Sequence, residues 1–239
     1  MSDGAAATAI SNLDLSKVVL AIGSLGTAAY GVVDASKCFG GGISKCGIGD
    51  IETVVSQFIP RNQVKGLGKL AFSSIHDTLR ANWMNGMALA DQKSVAKALI
   101  KLNLDPGSAQ QMAEAAGVDP AILKAIAVKL PTATPLSATE TDVYGRFDLM
   151  LSALLDQGYQ RADQRYRNAA KLAAVPVAVI LALLGAWALD GTSAFHLGDA
   201  GRAVLAGLLA TPLAPIAKDL STAIQAAAQL AQSWKSGKK

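Results

Sequence analysis

The feature that most constrains this chain is a helical pattern at residues 142–189 that begins among charged side chains and ends in uncharged sequence. Residues 142–171 carry apolar side chains at helical spacing between acidic and basic ones. The following 18 residues, 172–189, contain no charged side chain, and at about 1.5 Å per residue they are just long enough to cross a bilayer core. The pattern predicts one helix that starts in water and continues as the second transmembrane helix.

Two further apolar blocks, residues 17–34 and 203–217, lie on either side of this stretch. Each has an uncharged run slightly shorter than the usual spanning length, and the second contains Pro212 and Pro215, which predict a kinked span or a half-inserted arm. With 51% hydrophobic residues and a mean hydropathy of +0.32, the chain is apolar for a soluble protein. Because the excess lies in three blocks, the sequence predicts an all-α protein with about three transmembrane helices.

The polar middle, residues 35–141, is predicted to be a helical cytoplasmic domain between the first and second spans. It begins with a glycine-rich loop at 38–50 and ends with a Pro- and Thr-rich linker at 131–141. Apolar spacing and prolines predict short helices at residues 51–58, 67–79, 92–102, 106–116 and 120–130. No segment alternates with period two for long enough to predict a strand.

Capping residues indicate where these helices start. Asp105 and Asp119 each stand directly before a proline, a combination that puts an acceptor at the N-cap and proline at the first helical position. The long helix has Thr139 or Thr141 as its predicted cap.

Several short strings look like chemical motifs but lack the partners that the chemistry needs. Cys38 and Cys46 have no nearby His or further Cys to complete a zinc site. The Gly-Ile-Gly-Asp string at 47–50 lacks the second membrane-embedded Asp of intramembrane aspartyl proteases. His76 and His196 are far apart, with no nucleophile arrangement between them. The sequence therefore predicts no catalytic, cofactor-binding or metal-binding residues, and a chain that is not an enzyme.

The apolar spacing between Ala113 and Ile126 fits a helix-turn-helix unit. Its second helix offers only Lys124 and Lys129, and none of the Arg, Asn or Gln side chains that bind base edges bidentately. The net charge of +4 suits the inner face of an anionic membrane better than nucleic acid, because no dense basic run precedes the C-terminal lysines. We interpret this stretch as a helix-packing unit and expect no nucleic-acid partner.

The long helix carries an apolar seam in alternating steps of four and three residues. Its members are Leu151, Leu155, Tyr159, Ala162, Tyr166, Ala169 and Ala173. Such spacing puts the side chains on one helix face, which predicts that the helix packs against the soluble domain before it enters the bilayer.

Basic residues collect where the long helix meets the membrane. Arg161, Arg165, Arg167 and Lys171 form a predicted collar, and Asp163 is expected to pair with Arg167 one turn later. A charge run at the end of a span is normally an anchor and a topology signal. We favour that interpretation over a specific lipid-headgroup pocket.

The C-terminal segment, residues 218–239, is predicted to be an amphipathic basic tail with Trp234 and Lys235 at the membrane interface. The collar and the tail lysines mark the cytoplasmic side, whereas the loop at 190–202 has one arginine against two aspartates and is predicted to be external. The first span then runs from outside to inside, with a flexible tail, residues 1–16, outside. The cysteines face a reducing compartment and are predicted free thiols.

Gly23, Thr27 and Gly31 recur every four residues in the first span. Small residues at this spacing let another helix backbone come close. The predicted partner is the second span of the same chain or a neighbouring copy. The pattern therefore favours a homo-oligomer or a membrane-protein partner within the lipid bilayer.

Phe147 and Asp148 precede a basic aromatic helix at 159–167 that leads into a span, and the strings Leu-Ala-Pro at 213–215 and Lys-Asp-Leu at 218–220 follow. In these features the C-terminal part of the chain resembles a group of uncharacterised bacterial integral membrane proteins. In that group an aromatic-Asp pair and a basic juxtamembrane helix precede a transmembrane hairpin. The resemblance implies a location in the bacterial inner (plasma) membrane and no known activity.

Two classes of function stay open. The first is a non-catalytic scaffold, or a subunit of a membrane assembly, that works as an oligomer; the second is a channel-forming or pore-forming oligomer. No span carries an ionisable residue in its interior, whereas transporters and proton relays usually need one. The sequence therefore favours the scaffold.

Overall fold

The computed structural model describes residues 15–64, 66, 70–190 and 196–236. This part of the chain forms eight α-helices: α1 (Leu15–Ala35), α2 (Lys45–Phe58), α3 (Phe72–Met84), α4 (Leu89–Leu102), α5 (Ala109–Ala116), α6 (Pro120–Lys129), α7 (Ala138–Asp190) and α8 (Leu197–Ser236). Short 3-10 turns lie at Ser36–Cys38, Gly42–Ser44 and Leu130–Thr132. The described residues contain no β-strand, and the predicted all-α class is confirmed.

The chain divides into two compact units. Ile43–Arg167 is called the helical domain below, and Met1–Gly42 together with Asn168–Lys239 is called the apolar unit. Three stretches of the described helices are long and apolar enough to cross a membrane: Lys17–Ala35, Ala138–Ala188 and Leu197–Ala223. They contain the first and third predicted spans and all but the last residue of the second. Helix α7 runs unbroken from the domain into the apolar unit, as its sequence pattern predicted.

The helical domain has a core of large apolar side chains. Helices α2 to α6 and the first part of α7 surround its largest fully buried residues, which are Tyr159, Phe58, Phe147, Ile51, Ile59, Ile75, Ile100, Met112, Leu123, Ile126, Leu151 and Leu155. Phe58 and Phe147 meet edge to face with ring centroids 6.4 Å apart, a geometry that aromatic pairs prefer. Burying one such side chain is worth about 1.5–3 kcal/mol, so exclusion of water holds this domain together.

The predicted seam of α7 is confirmed inside the helical domain. Leu151, Leu155, Tyr159 and Ala162 are fully buried, and Tyr166 is partly buried. In the apolar unit the buried positions are Ala174 and Ala178, whereas the predicted Ala169 and Ala173 are partly exposed. The seam shifts because a straight helix with 3.6 residues per turn drifts by about 20° per heptad from a repeat of 3.5.

The glycine-rich segment at 38–50 is a shorter loop than predicted. Helix α2 begins at Lys45, so the end of the segment is helical. A Cβ added at Gly47 would lie 2.6 Å from Trp83 Cζ2 and 2.7 Å from the Ala162 carbonyl oxygen. This glycine is therefore needed for the close approach of α2 to α3 and α7, and not for a turn.

The five short helices predicted for the domain correspond to α2–α6, but two of them begin later than expected. Helix α3 begins at Phe72. Helix α5 begins at Ala109, so Asp105 is not its cap; the Asp105 carboxylate closes a turn by accepting from the amides two and three residues later. Asp119 does cap α6, as predicted, because it accepts from the amides of the second and third helical residues at 2.8 and 3.1 Å.

The predicted cap of the long helix is wrong. Helix α7 begins at Ala138, so neither Thr139 nor Thr141 precedes it. Ser137 and Glu140 form a capping box, in which the Ser137 amide donates to Glu140 Oε2 at 2.7 Å and the Glu140 amide donates to Ser137 Oγ at 3.3 Å. The linker therefore ends four residues earlier than the predicted boundary at 141.

The apolar unit packs through small side chains. Helices α7 and α8 are antiparallel, because Gly207 lies opposite Val179 while residues 211–215 lie opposite residues 171–175. A Cβ added at Gly207 would lie 2.5 Å from the Val179 Cα. The buried residues described in this unit include Ala29, Val33, Ala174, Ala178, Ala203, Ala210, Thr211, Ala214 and Ala217. Close backbone approach through such residues is how helices associate in lipid.

Pro212 and Pro215 lie inside α8, which runs unbroken from Leu197 to Ser236. Each proline removes one amide donor from the helix, yet the backbone stays helical on both sides. The predicted third span and the predicted tail helix from residue 218 are therefore one helix.

Helix α1 runs antiparallel to α8. Gly23 lies against Ala217, and Gly26 lies against Ala210 and Ala214. The predicted topology has the first and third spans both running from outside to inside, which would make them parallel, and this relative direction is wrong. The small residues of the two helices come together in the antiparallel register.

This direction limits how many helices can cross a bilayer in the arrangement described. Helix α1 and the α7 segment of the apolar unit are both antiparallel to α8, so they run the same way. The described residues between them include no further candidate span, and two consecutive complete crossings must run in opposite directions. With α1 packed on α8, the three helices cannot all be complete crossings.

Candidate membrane interface

The outer surface of the apolar unit carries large apolar side chains. Its α7 and α8 segments expose Leu172, Ile180, Leu184, Trp187, Leu205, Leu208, Leu209 and Ile216. Leu172 is 76% exposed and Leu205 is 62% exposed. Soluble monomers rarely leave large contiguous apolar patches uncovered, whereas lipid tails are as apolar as leucine. This surface suits contact with hydrocarbon.

Gly23 is the predicted packing residue that lies in the contact between α1 and α8. A Cβ added there would overlap the Ala217 Cβ and lie 3.1 Å from the Leu213 carbonyl oxygen. Gly26, which sequence reasoning missed, is equally close, because its Cβ would overlap the Ala210 carbonyl oxygen. The face that meets α8 therefore has a spacing of three rather than four.

Thr27 lies at the edge of this contact, in a groove that Ala217 also lines, and Gly31 lies away from it. The Thr27 hydroxyl donates to the Gly23 carbonyl oxygen of its own helix at 3.1 Å, and a Cβ added at Gly31 would meet nothing within 4 Å. Their predicted contact with the second span or with another copy stays a prediction, whereas Gly23 packs against α8, which contains the third span.

An open groove of about 600 Å³ lies in the apolar unit, close to Asn168, where the α7 segment of this unit begins. We call it the collar groove; it is lined by Tyr30 of α1, by Asn168, Lys171, Leu172 and Val175 of α7, and by Thr211, Pro212 and Pro215 of α8. Its lining includes one charged residue, Lys171. Thr211 is 7% exposed, and its hydroxyl has no hydrogen-bond partner among the described residues.

The collar residues differ in their partners. All four, Arg161, Arg165, Arg167 and Lys171, are exposed on α7. Within the helical domain, Arg165 Nε lies 3.0 Å from Asp50 Oδ2, which makes an ion pair between α7 and α2. Arg167 Nε lies 2.8 Å from Asp163 Oδ2, and the predicted pair is confirmed. Lys171, in the apolar unit, belongs to the collar groove.

Some predicted features lie outside the described residues. The side chains of Trp234 and Lys235 do so, although their backbone belongs to the last turns of α8. So do most of the predicted N-terminal tail, residues 1–14, and residues 191–195 of the predicted external loop.

Four lysines of the helical domain, Lys93, Lys97, Lys101 and Lys129, pair with carboxylates. Lys97 Nζ donates to Asp148 Oδ2 at 2.6 Å, and Lys101 Nζ donates to Oδ1 at 2.9 Å. Desolvation raises the pKa of Asp148, but the hydrogen bonds from both lysines lower it more, so that it falls below its usual range. Lys129 Nζ donates to both Glu140 oxygens at 2.7 Å, and this pair, with the capping amide, lowers the pKa of Glu140.

Other polar side chains of the domain also contact neighbours inside it. His76 lies between Glu52 and Asp77. The Tyr159 hydroxyl donates to the Gln92 carbonyl oxygen at 3.3 Å, and burial raises the pKa of this phenol. Among the described residues, no three His, Cys, Asp or Glu side chains come together as possible metal ligands. These contacts join one helix of the domain to another.

Comparisons with protein-family models, with curated proteins and with solved structures find no match to this chain. The resemblance to uncharacterised bacterial membrane proteins stays a prediction. Function is therefore inferred from the packing and chemistry of the chain's own residues.

Gly26 and Thr211 were not predicted as site residues, although each leaves a signal in the sequence. Gly26 follows Gly23 by three residues, and opposite them α8 is rich in alanine. Thr211 is a hydroxyl residue directly before Pro212 in an otherwise apolar block. Isolated polar residues within a span commonly mark polar contacts.

Proposed function

We propose that this chain is a non-catalytic integral membrane protein that works as an oligomeric scaffold or as a subunit of a membrane assembly. The hairpin of α7 and α8 is the membrane anchor, and the helical domain is the part that meets partners. The observation that supports this most is the packing of the apolar unit, with small residues buried and large apolar residues outside. In water, exposed apolar surface costs about 25 cal/mol per Å², a cost that contact with lipid tails removes.

The helical domain and the C-terminus are placed on the cytoplasmic side of a bacterial inner (plasma) membrane. The collar at the start of the α7 span and Lys218 after the α8 span support this side, because cytoplasmic flanks carry excess Lys and Arg. The first half of α1 lies beside residues 217–225 of α8, since Gly23 lies against Ala217 and Leu20 lines a groove with Ser221 and Gln225. In this proposal α1 therefore enters from the cytoplasmic side without crossing, and the N-terminal tail is cytoplasmic too.

Surfaces that the chain itself leaves uncovered support the oligomer. A second open groove, also of about 600 Å³, is lined by Leu20, Ser24 and Thr27 of α1 and by Ala217, Lys218, Ser221 and Gln225 of α8. Beyond it, Gly31 presents a flat surface on α1. Small and polar residues on helices at a membrane favour contact with another protein surface, and a second copy would supply one.

A channel-forming oligomer is the second candidate, and the polar lining of the same groove favours it. A ring of copies that turned Ser24, Thr27 and Gln225 inward would line a path for water. Purified protein that conducts ions across a planar bilayer would select the channel over the scaffold, and an oligomer that does not conduct would select the scaffold.

Extraction tests the anchor and particle mass tests the oligomer. Alkaline carbonate should leave the full-length protein in the membrane pellet, and detergent should release it as particles of more than one copy by mass photometry. Release by carbonate would contradict the membrane anchor, whereas single-copy particles would contradict the oligomer alone.

Cysteine labelling tests the sidedness. Cys46 is exposed and is a built-in probe, to be compared with Ser2→Cys and Gly198→Cys in a background without other cysteines. A membrane-impermeant maleimide added to intact cells should label Gly198→Cys and neither of the other two. Labelling of Ser2→Cys from outside would show that α1 crosses completely and is not packed on α8 as described.

A further inference from the structure

We infer that the collar groove binds one anionic glycerophospholipid, with the phosphate at Lys171 and an acyl chain along Leu172 and Val175. This inference rests on the proposed membrane location and adds a ligand to it. The groove is built by three helices of one unit and is open, as a site that takes a lipid from the surrounding bilayer must be.

Charge decides which headgroups fit. The residues that line the groove include no carboxylate, and Lys171 forms no ion pair among the described residues. Lys171 is also the last charged residue before the apolar segment of α7, so in a bilayer its ammonium group reaches the depth of lipid phosphates. A cation at this depth without a protein partner attracts anionic lipids.

The Thr211 hydroxyl supplies an independent sign of a missing ligand. Buried hydroxyls are normally hydrogen-bonded, and that of Thr211 has no partner among the described residues although the residue is 7% exposed. Thr211 lines the groove. A lipid phosphate or ester oxygen bound there would accept the hydrogen bond that the protein does not provide.

Two prolines leave backbone carbonyls free to accept hydrogen bonds from a lipid headgroup that carries hydroxyl groups. Pro215 and Pro176 have no amide hydrogen, so the carbonyls of Thr211 and Leu172 lack the donor that the residue four positions on supplies in a regular helix. Both residues line the groove. A headgroup that combines a phosphate with hydroxyl groups, such as that of phosphatidylglycerol, matches this set of one cation, one hydroxyl and two carbonyls.

The second groove lacks this combination and provides the matched control. It also contains a lysine, Lys218, but no buried hydroxyl without a partner is found among its described residues. Ser24 donates to the Leu20 carbonyl at 2.6 Å, and Thr27 donates to the Gly23 carbonyl at 3.1 Å. Removing Lys218 therefore removes the same charge at a membrane boundary without touching the inferred site.

The test compares the detergent-purified, full-length protein with three variants: Lys171→Gln, Thr211→Val and Lys218→Gln. Dioctanoyl phosphatidylglycerol is titrated into each, dioctanoyl phosphatidylcholine and inorganic phosphate serve as separate arms, and binding is followed by the shift in melting temperature and by native mass spectrometry. We expect one phosphatidylglycerol per chain, affinity about fivefold weaker in Lys171→Gln and in Thr211→Val, and parental affinity in Lys218→Gln.

Every other outcome overturns the inference. Phosphatidylcholine that binds as tightly as phosphatidylglycerol would show that the protein binds any detergent-like molecule. Lys218→Gln that weakens binding as much as Lys171→Gln would show that only the overall positive charge matters. Binding of inorganic phosphate as strong as that of phosphatidylglycerol would assign the site to a free anion. Should Thr211→Val melt much earlier without lipid, Lys171→Gln alone decides, because its side chain is exposed. A protein that stays soluble without detergent would instead refute the proposed membrane function.

Discussion

The helical domain and the apolar unit are both built from α-helices, yet they place large and small side chains on opposite sides. In the domain, Phe58, Phe147 and Tyr159 are buried and the surface is charged. In the apolar unit, alanines are buried, and Leu172 and Trp187 face outward.

The difference shows which force holds each unit together. Large buried side chains stabilise a fold in proportion to the apolar area removed from water. Small buried residues remove little area, but they let backbones approach, which is the contribution that remains when the surroundings are as apolar as the protein. One chain thus uses two packing rules, and the change occurs along a single helix, α7.

The largest expected difference in stability is between truncating a large side chain in the helical domain and truncating one in the apolar unit. Phe147→Ala should destabilise the helical domain by about 3–5 kcal/mol, because it leaves a cavity in the core. Leu184→Ala, at an exposed position of α7, should cost less than about 0.5 kcal/mol, because no protein contact of comparable size is lost. Urea denaturation in detergent, followed by Trp83 fluorescence for the domain and by circular dichroism for the whole chain, measures both. Similar losses in the two variants would break the comparison.

Enlarging a glycine should give the reverse contrast inside the apolar unit. Gly23→Leu would force α1 away from Ala217 and should cost about 1–3 kcal/mol, visible as a lower melting temperature. Gly31→Leu has open space around it and should leave the melting temperature unchanged. If Gly31 contacts a second copy, this variant should reduce the particle mass in mass photometry, whereas Leu25→Ala should not. A lower melting temperature for Gly31→Leu and not for Gly23→Leu would show that α1 packs on α8 through Gly31 and not through Gly23.

The smallest expected effect is the dependence of the domain's stability on pH in the acidic range. Because the pKa values of Asp148 and Glu140 are lower in the folded domain than in the unfolded chain, their ion pairs add stability above the ordinary carboxyl range. That stability is lost as the pH falls below about 4 and through the lower folded values. The melting temperature of the domain should fall over this range, and the fall should be shallower in Asp148→Asn. An unchanged slope in that variant would show that the Lys97 and Lys101 pairs are not linked to folding.

The fold class and the path of the long helix could be predicted from the sequence because both follow from hydrophobic periodicity. The packing face of α1 could not, since Gly23, Gly26, Thr27 and Gly31 offer faces with a spacing of three or of four, and only the partner helix selects one. The late start of α5 depended on whether Asp105 closes a turn or caps a helix, and its sequence neighbours allow both. The collar groove could not be predicted from the sequence, because its residues come from three segments that are far apart along the chain.

The most direct test of the two packing rules is depth-dependent quenching of tryptophan fluorescence in bilayers. Trp83 is buried in the helical domain, where its Nε1 donates to the Ser44 carbonyl oxygen at 2.7 Å; Trp187 is 50% exposed on α7. Variants that keep one tryptophan each are reconstituted with lipids brominated on the acyl chains. We predict strong quenching of Trp187 and none of Trp83, with aqueous iodide quenching neither efficiently. Quenching of Trp187 by iodide but not by brominated lipid would show that the outer surface of the apolar unit faces water, and the account would be wrong.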